Sequence, residues 1–260
     1  MISLNKQYAA EKIAENTYKI DESGMANCYL LIGDNKALLI DTGCGAGNLK
    51  EAVGKLTEKP VIVAVTHRHP DHAGGAWQFG TYYVHRDDKK IVYGIMSRPV
   101  VSRRMLKIVG VTIDKELRRK RCKIVTMEDG HRFDLGNRII LVKSVPGHTK
   151  GSVLFLDEKE KLMFTGDNVN FCLWMHLPGS TSLEAWIRSA RTILDYHEIG
   201  YKAYGGHSKG PQSKEEIKQL LKCVKKVIEK NKIKESKIID NKMPVVLYKR
   251  HRICEKNTKE

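Results

Sequence analysis

Three histidines and an aspartate fall between His67 and His72, in Thr66-His67-Arg68-His69-Pro70-Asp71-His72-Ala73-Gly74-Gly75. Residues 61–65, an apolar run that reads as a buried strand, lead into them. Imidazole and carboxylate packed this densely at a strand end point to metal ligation. Such a loop supplies only part of a site, so the fold has to carry further ligands to the same place.

Three more apolar runs end in a ligand type. Val142-Lys143-Ser144-Val145-Pro146-Gly147 leads to His148, Leu162-Met163-Phe164-Thr165-Gly166 to Asp167, and Tyr201-Lys202-Ala203-Tyr204-Gly205-Gly206 to His207. Each of these ligands has glycine directly before it, where the backbone can turn sharply. Ligands at strand ends on one edge of a sheet converge, as in open α/β sheets. His67 and His69 are two apart and point the same way in extended backbone. With His148 they make three imidazoles, enough for one zinc with an open position. Asp71, His72 and His207 can serve a second ion, and Asp167 can bridge the two. His85, His131, His176, His197 and His251 stand outside any such pattern and read as structural or surface residues.

The rest of the chain reads as a layered α/β domain. Residues 17–20, 28–33 and 36–41 look like strands of a meander, with turn chemistry at Gly33-Asp34-Asn35, and 47–57 look helical. Strands are expected at 82–85, 138–145, 152–156, 161–165 and 245–248. Helices are expected at 86–96, in part of 114–121, and after the capping-box spacings Thr181–Glu184 and Ser213–Glu216. No linker composition divides residues 1–260, so one domain is expected.

Charge is uneven. Of the net +16, residues 97–125 hold ten Lys/Arg against two Asp/Glu, and residues 222–260 hold thirteen against five. The body is neutral, with a basic insertion and a basic C-terminal segment. These suit either a solvated surface or an anionic partner. No window is long and apolar enough for a membrane span, and the first residues lack a secretory pattern. The six cysteines form no CxxC pair and read as reduced thiols, so a cytoplasmic setting is expected.

These motifs together resemble the metallo-β-lactamase superfamily, from about residue 15 to about 235, with Asp41-Thr42-Gly43 matching its early acidic strand end. The resemblance implies an αββα four-layer sandwich, and Asp41 as a residue that orients a ligand. It implies His67, His69, Asp71, His72, His148, Asp167 and His207 as ligands of two Zn2+, with iron or manganese as alternatives. His72 and Asp167 separate the chain from lactamases with a cysteine ligand. His69 separates it from the flavodiiron oxidoreductases. The complete set resembles the hydrolase branch of glyoxalase-II-like thioesterases, acyl-homoserine-lactone lactonases and ribonuclease-Z-like phosphodiesterases. In such a site a metal-bridging hydroxide attacks the substrate, and Asp71 orients or relays its proton.

Two segments bear on the substrate. Phe171-Cys172-Leu173-Trp174-Met175 follows Asp167 and suits an apolar acyl group, with Trp174 as a binding residue. Arg118 and Arg119, in the basic insertion, suit phosphate or carboxylate. The expected function is hydrolysis of a small acyl substrate (thioester, lactone or ester), with an anionic one compatible. A phosphodiesterase acting on nucleotide or nucleic acid is the second reading. A non-catalytic basic metal-binding module is the third, which the intact ligand set argues against. Nucleic acid is not favoured as a partner, since few aromatics interleave the basic residues. A homo-oligomer remains open.

Overall fold

The computed structural model describes residues 1–89, 122–232, 245–248 and 251–253. Its first sheet has eight strands in sequence order: β1 (Ile2–Ser3), β2 (Tyr8–Ala14), β3 (Thr17–Glu22), β4 (Asn27–Ile32), β5 (Ala37–Ile40), β6 (Val61–Ala64), β7 (Thr81–His85) and β8 (Lys123–Met127). The pairs from β1 to β5 are antiparallel, and those from β5 to β8 are parallel. Helix α1 (Leu49–Gly54) crosses between β5 and β6, and the one-turn helix α2 (Pro70–Ala73) follows β6.

The second sheet is built from β9 (Arg132–Asp134), β10 (Ile139–Ser144), β11 (Val153–Asp157) and β12 (Leu162–Gly166). After β13 (Cys172–Trp174) and α3 (Leu183–Glu198), the strand β14 (Lys202–Gly205) joins it beside β12, giving the order β14-β12-β11-β10-β9. Helix α4 (Lys214–Lys232) follows. Strand β13 belongs to neither large sheet; it pairs with β15 (Val245–Tyr248), which pairs with β16 (His251–Ile253).

Period-two alternation explains how these layers stack. Leu30 and Leu39 face outward with Leu49, Ala52 and Val53 of α1, whereas their neighbours Leu31, Leu38 and Ile40 face the second sheet. There they meet Phe155 and Phe164, which pair across β11 and β12. On the far side, Leu154, Leu156, Met163 and Ala203 pack under Ile193 of α3 and Ile217 of α4. The result is helix, sheet, sheet, helix, the expected αββα sandwich. Each fully buried Phe contributes about 1.5–3 kcal/mol.

A buried ion pair ties the sheets at one end. Arg138 Nε donates to Asp157 Oδ2 at 3.1 Å, and the guanidinium reaches across to Asn16 O at 3.0 Å and Thr17 Oγ1 at 2.6 Å. Both charged side chains are nearly inaccessible, at 3% and 0% exposure.

Several expectations need correction. The end of the basic segment 97–125 is not an insertion: Lys123, Ile124 and Val125 are the start of β8, at the edge of the first sheet. Arg118, Arg119 and the helix expected at 114–121 lie outside the described residues, as does most of the one expected at 86–96. The cap of α3 is Ser182, whose Oγ accepts from Ala185 N at 3.2 Å; Thr181 instead donates its hydroxyl to Gly147 O. The second capping box is as expected, with Ser213 and Glu216 bonded reciprocally. Cys28, Cys44, Cys122 and Cys172 are free thiols, but Cys223 is disulfide-bonded.

Candidate metal centre

The strand ends that carry the ligand-type residues belong to both large sheets, not to one edge of a single sheet. His67, His69, Asp71 and His72 follow β6 of the first sheet. His148, Asp167 and His207 follow β10, β12 and β14 of the second. The site therefore lies where the two sheets meet along one rim of the sandwich. Residues 66–68 bend rather than extend, so His67 and His69 converge through a turn and not through strand alternation. Pro70 opens α2 at a position where no backbone donor is needed, and its single turn presents Asp71 and His72 together.

Two groups form. His67 Nε2 lies 3.1 Å from His69 Nδ1, which lies 2.8 Å from His148 Nε2. Beside them, Asp71, His72, Asp167 and His207 converge. Asp167 stands between the groups. Its Oδ2 is 3.6 Å from His148 Nε2 and 3.3 Å from His207 Nε2, and its Oδ1 is 3.3 Å from His72 Nε2.

Outer hydrogen bonds fix the rings. His67 Nδ1 meets Thr66 Oγ1 at 3.0 Å, His72 Nδ1 meets Asp41 Oδ2 at 2.9 Å, His148 Nδ1 meets Trp174 O at 2.7 Å, and His207 Nδ1 meets Met25 O at 2.6 Å. In each the outer Nδ1–H donates, which leaves Nε2 to face the cluster. Asp41 also accepts from Thr66 N at 2.7 Å and Thr66 Oγ1 at 2.8 Å. Its own backbone is left-handed, at φ +59°.

Glycine is demanded here for two reasons. Gly166 sits at φ +51°, so the chain reverses before Asp167. Gly206 is needed for space, since a Cβ there would lie 2.4 Å from His72 Cε1 and 2.5 Å from Asp167 Oδ1.

Burial pushes His67, His69 and His148 down, His69 to about 3, so all three rings are neutral at pH 7. Three neutral ring nitrogens therefore turn lone pairs towards one another, an arrangement that a cation satisfies. In the other group burial works against ionisation, but opposite charges outweigh it. The carboxylates hold His72 well above its ordinary value and His207 at about 10, while Asp71 is held at about 2. His72 Nε2 is buried and makes no well-formed hydrogen bond, although Asp167 Oδ1 stands 3.3 Å from it. Nitrogen-rich and carboxylate donors at these positions fit two divalent ions.

A cavity of about 800 Å³ opens beside the cluster. Asp71, Asp167 and His207 lie at its polar end, and Val169, Phe171, Trp174 and Leu220 among its apolar walls. Trp174 thus lines the cavity, and its carbonyl accepts from His148 Nδ1.

A family model described as the metallo-beta-lactamase superfamily matches residues 22–198. The chain belongs to the metallo-β-lactamase superfamily. Among its superfamily relatives is the human protein named acyl-coenzyme A thioesterase MBLAC2, 26% identical over 185 residues, covering 62% of this chain and 66% of that protein. A second is the uncharacterized protein Rv2581c of Mycobacterium tuberculosis, 30% identical over 161 residues, covering 55% of this chain and 67% of that one. The chain thus spans about two thirds of the length of the curated relatives it matches. A solved metallo-beta-lactamase family protein from Thermus thermophilus, TTHA1429, has the same fold, with a TM-score of 0.60 at 20% identity, covering 84% of this chain and 81% of that one.

Two residues of this superfamily member escaped the sequence reading. Asp88, fully buried, accepts from Arg68 N at 3.1 Å, Thr149 Oγ1 at 2.8 Å and Gly151 N at 3.1 Å, and so binds the His67–His69 loop to the His148 loop. Asn168 Oδ1 accepts from His148 N at 3.0 Å. A ligand type two residues or fewer from a recognised ligand was the only signal for Asn168, and Asp88 had none.

Proposed function

We propose that the protein is a dinuclear metal-dependent hydrolase of acyl thioesters. The observation that carries this is the pair of adjacent donor groups, with Asp167 of one reaching to 3.6 Å from His148 of the other, opening onto a cavity with apolar walls. The name of the human relative, an acyl-coenzyme A thioesterase, supports the choice of thioester among acyl substrates. His67, His69 and His148 would hold one ion, and Asp71, His72 and His207 the other, with Asp167 reaching both. Zinc is the proposed metal, since imidazole and carboxylate suit it.

Bound divalent ions would supply a water acidic enough to deprotonate near neutral pH and a positive charge for the carbonyl oxygen. The protein's own groups do the rest. Asp71 lines the cavity as a carboxylate at neutral pH, so it orients the attacking water and accepts its hydrogen bond. Its low pKa suits orientation more than proton storage. Phe171 and Trp174, 73% and 45% exposed, offer apolar surface to an acyl chain. The cytoplasm is the proposed compartment. The four free thiols suit it, and the Cys223 bridge does not.

The test is a hydrolysis panel of thioester, lactone and phosphodiester, run on protein of measured metal content. About two ions per chain and a thioester rate above the phosphodiester rate are expected. The reverse ranking would assign the site to phosphodiesters. Asp167→Ala should lower the rate more than about 100-fold, beyond the cost of losing an outer partner of a ligand.

A further inference from the structure

Strand β13 does two things at once. The carbonyl of Trp174 orients His148 at 2.7 Å, and Phe171, Cys172 and Trp174 line the cavity. Yet β13 is bonded to neither large sheet. Leu173 anchors it from below, in the cluster with Trp186, Leu220 and Val224. Along its edge the strand partner is β15, in parallel register Cys172↔Val245, Leu173↔Val246 and Trp174↔Leu247. Strand β15 in turn packs on α4, whose Leu220 lines the same cavity, and is backed by β16.

We infer that the C-terminal hairpin, β15 and β16, is a positioning element of the metal centre and of the cavity wall. A single strand three residues long has no stability by itself. Pairing with β15 fixes the line of β13, and with it the direction of the Trp174 carbonyl that holds the His148 ring. The tail thereby links the basic C-terminal end of the chain to metal affinity and to the shape of the binding cavity. Only the choice of an acyl ligand below rests on the proposed thioesterase reading.

Val246→Pro and Leu247→Pro, made singly in the full chain, each remove a backbone donor from β15. A third variant deletes residues 241–260. Zinc affinity is read by chelator competition, laurate binding by tryptophan fluorescence, and folding by circular dichroism. At unchanged secondary structure, zinc affinity should weaken about 10- to 100-fold in the deletion and in at least one proline variant, the scale seen when a ligand loses its outer support. Laurate binding should weaken with it. Unchanged zinc affinity in all three overturns the inference. So does global unfolding of all three, which would make the hairpin a part of the core. A wild-type protein inactive on thioesters would refute the proposed function and leave the zinc comparison standing.

Discussion

Asp41 holds three donors from a left-handed backbone position, and strain of that kind persists only where the surroundings fix it. Its carboxylate sets His72 Nδ1, so its loss should be felt in metal affinity before stability. Asp41→Asn is expected to weaken metal binding about 10- to 100-fold in a chelator titration, with the melting temperature of the metal-free protein nearly unchanged. His207 gives a pH signature. Its folded pKa is raised to about 10, so its contribution to stability is fully present below its unfolded value near 6.5 and is lost as pH rises through about 10. The urea midpoint of metal-free protein should therefore fall between pH 7 and pH 10, and His207→Ala should flatten that slope. Ligand types at strand ends were legible in the chain because His67, His69, Asp71 and His72 fall within six residues and the other three follow glycine. The groups that aim them were not: Met25 O and Trp174 O are backbone carbonyls, which every residue has, and Asp88 lies far from the groups it joins.

Elements with a full apolar stripe were the legible ones. Strands β4, β5, β6, β11 and β12 are apolar along most of their length, since they are covered on both faces. Strand β2 was missed because Glu11 and Lys12 interrupt it, and β9 and β13 because three residues carry no period. The cap of α3 was placed one residue early: Thr181 and Ser182 are both good caps, and tertiary contact with Gly147 O takes the first. Ser182→Ala should cost about 0.5–2 kcal/mol in urea unfolding, and Thr181→Ala less, a ranking opposite to the one the sequence suggests.

At the level of the whole molecule the sandwich is held by an apolar middle and, at one end, by the buried pair of Arg138 and Asp157. Arg138→Met leaves Asp157 buried without its cation, and should lower stability by about 3–5 kcal/mol. The double variant with Asp157→Leu should recover much of that, read in the same denaturant series. A layered α/β domain was legible from the alternating strands and helices, but the αββα order came only with the family resemblance; its physical basis is that adjacent leucines on one strand, such as Leu38 and Leu39, serve two separate cores. That the site spans both sheets was not legible, because pairing order between distant strands leaves no local trace. This division has a consequence for biosynthesis. Four of the clustered residues are made with the first sheet, and the remaining three, His148, Asp167 and His207, come only with the second. A growing chain has no complete donor set until His207 has been added and its strand has docked, so the first half cannot capture a pair of ions on its own.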